Sequence, residues 1–195
     1  MAISRLSASR LTQGLPKYQS AWDQDGVAQG AMVPIQTITM TNNSSAQFEF
    51  ANVPQIYQDL VLIVSYTKTT GTFDPWLALN GDFTANTVGR IQMYTNSSTH
   101  AGEFRTNDSV VYCPDGGAHT NGRPVTQIIN IFSYTGTNRK CVLGQASANR
   151  ASTYWSSIYC GSKTIGAVTN VQFHGNDGNM GAGSIATLYG IKAGA

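Results

Sequence analysis

Charged residues are scarce in this chain of 195 residues, because Asp, Glu, Lys and Arg together make up 11% of it. An average globular protein has about a quarter. Only two glutamates occur, Glu49 and Glu103, although exposed helix faces usually need Glu and Lys. Ser, Thr, Asn and Gly replace the missing charge and favour turns and polar strand faces. The composition therefore predicts β structure, and the 10% of aromatic residues argue against disorder.

The net charge is low as well, at +2. A general nucleic-acid-binding role therefore has little electrostatic support. No apolar run approaches the ~20 residues of a membrane-spanning helix, so we expect no membrane insertion. Surfaces rich in Ser, Thr and Asn can pack against copies of themselves at a lower desolvation cost than charged ones. This favours a protein that functions in a large assembly.

The three cysteines are Cys113, Cys141 and Cys160, and no CxxC spacing occurs. This count and spacing indicate neither a disulfide scaffold nor a zinc site. We expect free, mostly buried thiols. The alternative is one disulfide with a third, unpaired thiol. The N-terminus lacks the apolar segment of a signal peptide. The chain is therefore expected to fold in a cytoplasm.

Signals for catalysis are weak. The histidines His100, His119 and His174 show no HxH or HExxH spacing, so we expect no metal or cofactor. No GxSxG nucleophile motif occurs. A glycosidase needs two carboxylates that flank the glycosidic bond to be cleaved. Glu49 and Glu103, however, are each expected to be solvated and to point outward. We therefore expect no enzymatic activity, and a hydrolase is kept only as a remote alternative.

Apolar segments alternate with turn residues along the body of the chain, which gives roughly ten strands at spacings of about 10–15 residues. The terminal stretch 183–191 has two faces, with Ile185 and Thr187 on one and Ala186 and Leu188 on the other. Its best partner is the apolar run 60–66. A two-sheet arrangement lets this last strand pair internally. We predict an all-β, jelly-roll-like two-sheet sandwich with an extended N-terminal arm.

Several local features follow from the same patterns. Phe48 and Phe50 are expected to point inward, and Asn80-Gly81 is expected to form a turn with positive φ. One longer strand is predicted over 103–112. Exposed loops are predicted at about 95–101 and 114–123, with contact residues His100, His119 and Asn121.

Residues 1–33 differ from the body, because Gly14-Leu15-Pro16 interrupts a polar, Ser-rich stretch. One interpretation is a loose tail. The other is an arm that docks on a neighbouring subunit, with four apolar anchors: Leu6, Leu11, Tyr18 and Trp22. The predicted domains are thus an attachment arm at 1–33 and a sandwich at 34–195.

Three segments carry a family resemblance: residues 48–62 (FEFANVPQIYQDLVL), 77–82 (LALNGD) and 183–191 (GSIATLYGI). In this order they resemble virion structural proteins of tailed bacteriophages, of the fibre and surface-decoration type. The resemblance spans about residues 46–192. It implies a multi-copy β-sandwich on a virion, assembled in the bacterial cytoplasm, with capsid or tail proteins and copies of itself as partners and without catalysis. No long stalk or coiled coil is present, so a head or a tail location stays open.

A carbohydrate-binding module is the main alternative. Trp76 and Trp155 could stack on sugar rings, which would make a host surface glycan a further partner. Ordinary core or subunit packing is the competing interpretation for both side chains.

Overall fold

The structure is a computed structural model that describes residues 32–69, 75–84, 88–96, 100–113, 123–149, 154–163, 165–175 and 178–192. The four predicted anchors of the N-terminal arm lie outside these ranges, as do His119 and Asn121. Trp155 is described only as a backbone position in a strand.

The described residues form twelve antiparallel strands, and exposure alternates with burial along several of them. They are β1 Met32–Thr39, β2 Gln47–Ala51, β3 Asp59–Tyr66, β4 Pro75–Leu79, β5 Val88–Asn96, β6 His100–Asp108, β7 Val111–Tyr112, β8 Val125–Phe132, β9 Lys140–Asn149, β10 Tyr154–Lys163, β11 Asn170–Gly175 and β12 Ile185–Ile191.

The strands form two sheets. The large sheet has the order β1-β12-β3-β8-β9-β10-β5-β6, and the small sheet has the order β2-β11-β4-β7. Without the hairpins β5–β6 and β9–β10, successive strands alternate between two four-stranded sheets, except that β4 and β7 follow each other in the small sheet. This is the winding of an eight-stranded jelly roll. Both hairpins extend the large sheet beyond β8. The predicted all-β, two-sheet sandwich is confirmed.

The terminal strand β12 lies between β1 and β3, and Leu188 stands opposite Leu62. Its pairing with the run 60–66 is therefore confirmed, and so are its two faces: Ala186 and Leu188 are both fully buried, whereas Ile185 is exposed. Gly190 faces the same way and leaves room for the ring of Tyr57. A Cβ at residue 190 would lie 2.3 Å from two atoms of that ring.

The hydrophobic core fills the space between the two sheets. Phe48 and Phe50 point into it from the small sheet, as predicted, together with Phe173, and Leu62 meets them from the large sheet. All four side chains are at most 1% exposed. Burying a side chain of this size contributes about 1.5–3 kcal/mol, so the contact between the sheets is the main source of stability.

The Asn80-Gly81 turn after β4 has the predicted positive φ angles, 56° and 62°. The Asn80 side chain connects this turn to the segment that leads into β11. Its Oδ1 accepts hydrogen bonds from the backbone nitrogens of Thr169 (2.8 Å) and Asn170 (3.1 Å). Its Nδ2 donates to the carbonyl oxygen of Ala167 at 2.8 Å. The turn thus positions the start of β11 beside β4.

The predicted single strand over 103–112 is wrong. The chain forms β6 in the large sheet, crosses at residues 109–110 and enters the small sheet as β7. Asp108-Ser109 are turn formers, and Val111 is pulled into the core, where it is 1% exposed. The strand β6 also begins earlier, so His100 pairs with Thr95 in a strand instead of lying in a loop. At the other edge of the sheet, β1 begins at Met32, two residues before the predicted domain boundary.

Candidate functional site

The outer face of the extended part of the large sheet carries almost no charge. We define this outer face as the side chains of β8, β9, β10, β5 and β6 that point away from the small sheet. Exposure alternates with burial along β8, β9 and β10, which identifies the outward positions. Among the described side chains, these positions hold apolar residues, Ser, Thr, Asn, Gln, Gly, Cys and one His, with no Asp, Glu, Lys or Arg. Such a composition is unusual for a sheet face in contact with water.

Large apolar side chains cluster on the outer face. Phe104 lies opposite Ile91 across the β5–β6 pair, and Met93 lies opposite Ile158 across the β5–β10 pair. The cluster, called the apolar patch, consists of Phe104 (68% exposed), Met93 (60%), Ile158 (52%), Ile91 (50%) and Leu143 (43%). Together these side chains expose on the order of 500 Å², which is comparable to the largest apolar patch of a typical monomer, and such patches are often functional.

The charged side chains of the β5–β6 hairpin lie on the opposite face, toward the sandwich. Arg90 is only 5% exposed, and its Nη2 lies 3.7 Å from Glu103 Oε2. Its Nε lies 2.9 Å from Asp108 Oδ2, although the two atoms do not align as a hydrogen bond. The guanidinium lies 4.5 Å from the centre of the Tyr112 ring, and Gln92 Nε2 donates to Glu103 Oε2 at 2.6 Å. The hairpin therefore directs its charges inward and its apolar residues outward.

The extent of the small sheet explains this reversed orientation. Its last strand, β7, lies beneath β10 and β5. A Cβ on Gly161 would lie 3.0 Å from Val111 Cγ1. Beyond β7, a polar cleft of about 380 Å³ includes Arg90, Glu103 and Asp108 in its lining. Because this side of the hairpin faces a cleft instead of the core, it can hold charged groups.

Two shallow hollows adjoin on the outer face. One, of about 460 Å³, is lined by residues that include Met93, His100 and Ile158. The other, of about 240 Å³, is lined by residues that include Ile128, Gln145 and Ile158. Because they share Ile158, they form one groove across the face from β8 to β6. Apolar and small polar walls suit contact with another protein surface better than they suit a charged ligand.

Trp76, one of the two predicted glycan-stacking aromatics, lies on the outer side of the small sheet. Its ring stacks on the imidazole of His174, with centroids 4.3 Å apart and planes 21° apart. Phe83 contacts it edge-on at 5.2 Å. Burial lowers the pKa of His174, and a backbone hydrogen bond with Gly175 partly opposes this shift. One face of Trp76 is therefore occupied by a neighbouring side chain.

The two glutamates do not share a site. Glu49 is exposed on β2, as predicted, and the amides of Asn170 and Gln172 donate to its Oε1 and lower the pKa of this carboxyl group. Glu103 is half-buried at the polar cleft, so its predicted outward orientation is wrong. Electrostatic attraction to Arg90 accounts for the difference. The described residues contain no group of three or more His, Cys, Asp or Glu side chains that could hold a metal ion.

All three cysteines are free. Cys113 is buried as predicted, whereas Cys141 and Cys160 are exposed, so the expectation of mostly buried thiols is wrong for these two. Both stand at outward positions of β9 and β10, and Cys160 lies between Ile91 and Leu143 in the register of the sheet. Two thiols therefore belong to the outer face. Of the three predicted contact residues, His100 is the one within the described ranges, and it stands at the end of the same face.

The apolar patch was not predicted from the sequence, although a signal for it exists. Charged or amide residues alternate with apolar ones at Arg90-Ile91-Gln92-Met93 and again at Glu103-Phe104. This alternation indicates two different faces without saying which of them is turned inward. In the described part of the chain, no helix is long and apolar enough to cross a membrane. Compared with known proteins, the chain matches no protein-family model, and a search of curated proteins finds no relative.

Proposed function

We propose that the chain is a non-enzymatic structural protein of a tailed-bacteriophage virion, displayed on the particle surface as a short fibre or decoration protein. Three observations support this proposal. The ordered motifs at 48–62, 77–82 and 183–191 resemble such proteins, the jelly-roll winding occurs in viral capsid domains, and the outer face has the composition of a contact surface.

The outer face is the observation that carries the proposal. Interface cores are depleted of charge relative to the rest of a protein surface, and among its described side chains this face has no Asp, Glu, Lys or Arg. Its apolar patch would be costly to leave in water. A protein that works in an assembly, against other virion proteins and copies of itself, has a use for such a face.

The N-terminal arm supplies the attachment in this proposal. The first described strand, β1, begins at Met32 at one edge of the large sheet, so residues 1–31 precede that edge. A fully extended segment of this length could reach about 100 Å, enough to contact a neighbouring subunit. Leu6, Leu11, Tyr18 and Trp22 are the proposed anchors.

Deletion of residues 2–22 tests the attachment role. The shortened protein should keep its unfolding transition and should fail to enter particles during assembly in host cells. A full-length variant with the four anchors changed to Ser should fail in the same way, whereas the matched variant Ser7→Ala with Ser9→Ala should enter normally. If the deletion variant enters particles at the normal copy number, the attachment role is wrong.

Carbohydrate binding is the second candidate, and the polar cleft favours it. Glu103 and Asp108 offer carboxylates to sugar hydroxyls, Tyr112 lines the same cleft, and Trp76 stands opposite Tyr112 in the small sheet. A glycan array with the intact protein tests this role, and Glu103→Gln should abolish any binding found. Glu49→Gln is the matched control, because Glu49 lies on a distant strand. Absence of binding to every glycan would remove this candidate.

A further inference from the structure

We infer that the outer face binds the same face of a second copy of this chain, about a two-fold axis that passes through the apolar patch. The inference rests on the proposed structural role, because it names the partner of the surface that carries that role. It adds a specific pairing, copy to copy through β8, β9, β10, β5 and β6.

The charge distribution favours a second copy as the occupant. An isologous interface uses one patch twice, so the patch must be complementary to itself. A charged patch would place like charges together at the axis, whereas an uncharged face meets itself without an unpaired charge. The nearby charges of Arg90, Glu103 and Asp108 are held on the opposite side of the sheet by one another. A charged partner would bury ions that the outer face cannot pair.

The area is sufficient for a stable pair. The five strands have eight to ten residues each. At the usual strand spacing they give the face a footprint of roughly 700 Å². A standard protein–protein interface buries about 800 Å² per partner. The apolar patch occupies the part of this footprint nearest β5, with Ser, Thr and Gln around it, which is the usual arrangement of an apolar centre and a polar rim.

The exposure of Cys160 also favours a second copy as the partner of the outer face. Free cysteine is among the most frequently buried residue types and behaves as a small apolar group. Cys160 nevertheless lies in the outer face of the isolated chain, between Ile91 and Leu143. In a dimer about a two-fold axis through the apolar patch, the second copy covers Cys160, and the two copies of this thiol lie close together. Cys160 is therefore a native reporter of the pairing.

Sedimentation velocity of the full chain over a range of concentrations is the first test. The wild-type chain should form a dimer, and Ile158→Lys should raise its dissociation constant by at least about 100-fold, because two lysines would be desolvated near the axis. Ile56→Lys is the matched control, since Ile56 is 79% exposed in the connection between β2 and β3, and it should dimerise normally. A wild-type monomer at every concentration, or normal dimerisation by Ile158→Lys, would overturn the inference.

Cross-linking of the native thiols with a short bismaleimide needs no change at the interface. Wild-type chain should give a covalent dimer, Cys160→Ser should abolish it, and Cys141→Ser should retain it. A cross-linked dimer that persists in Cys160→Ser at the wild-type yield would contradict a two-fold axis near this residue. So would the absence of any dimer in the wild-type protein.

Particle incorporation separates this inference from the proposed function. If the wild-type chain is a monomer but Ile158→Lys fails to enter particles, another virion protein covers the face. The pairing is then wrong and the structural role stands. If the chain dimerises through Cys160 but never enters particles, the pairing stands and the virion role is wrong.

Discussion

The ring of Tyr159 lies against the backbone of Gly144 on the neighbouring strand, so close that a Cβ at residue 144 would sit 2.1 Å from Tyr159 Cζ. The same ring reaches across β9, and its hydroxyl donates to Oε1 of the buried Gln127 at 2.8 Å. Gly144 thus lets one side chain connect β10 to β8. This contact reinforces the β8–β9 pairing that joins the hairpin β9–β10 to the jelly roll.

Gly144→Ala should destabilise the protein by about 1–3 kcal/mol, because the new methyl group overlaps the Tyr159 ring and the strands must shift. Urea unfolding measures this change in the free energy of unfolding. Gly89→Ala is the control, since Gly89 also lies in a strand but a Cβ there meets nothing within 4 Å. Equal stability of the two variants would show that Tyr159 moves away at no cost.

Gln127→Ala should cost about 2–4 kcal/mol, because it opens a cavity and removes buried hydrogen bonds. Gln127 Nε2 donates to the Tyr66 hydroxyl and to the carbonyl oxygen of Cys113, both at 3.3 Å. Gln145→Ala, at an exposed position of β9, should change the free energy of unfolding by less than about 0.5 kcal/mol. A loss of similar size in both variants would contradict the buried network.

Lys163→Met should destabilise the protein by about 2–4 kcal/mol. The Lys163 ammonium group is buried, donates to the backbone carbonyls of Asp82 and of Ser109 (2.7 Å), and lies 3.3 Å from Asp82 Oδ2. It connects the turn after β4 to the crossing between β6 and β7. Lys192→Met, at an exposed position, is the control, and thermal unfolding of both variants gives the comparison.

Acidification should destabilise the protein through His174. Burial lowers the pKa of this imidazole in the folded state, so the unfolded chain binds the proton more readily. The stabilising contribution is full above the unfolded pKa of about 6.5 and declines as the pH falls from there toward the folded pKa. His174→Gln should therefore flatten the decline in the free energy of unfolding as the pH falls below about 6.5. His100→Gln, a change at an exposed strand position, should leave the decline in place; an unchanged decline in His174→Gln would contradict the burial argument.

Much of the fold could be predicted from local pattern. The stretch 60–66 and the terminal strand are the clearest apolar segments, and they pair with Leu62 opposite Leu188. Phe48 and Phe50 point inward because only one face of β2 is apolar. The Asn80-Gly81 turn follows from the tolerance of both residues for positive φ.

The orientation of the β5–β6 hairpin could not be predicted in this way. Arg90 and Ile91 alternate as they would in a strand with its apolar side on the core. The outcome depends on where the small sheet ends, and that depends on β7, two residues long and without a pattern of its own. The break before β7 was missed for the same reason. The outer face is thus set by tertiary packing and not by local sequence.

The most direct test of the account is a cryo-electron microscopy reconstruction of intact phage particles from a host that produces this chain. The account predicts multiple copies of the jelly roll on the particle surface, each held through residues 1–33, with Met93, Phe104 and Ile158 covered by another subunit. Particles that lack the chain, or that display it with the outer face open to solvent, would contradict it.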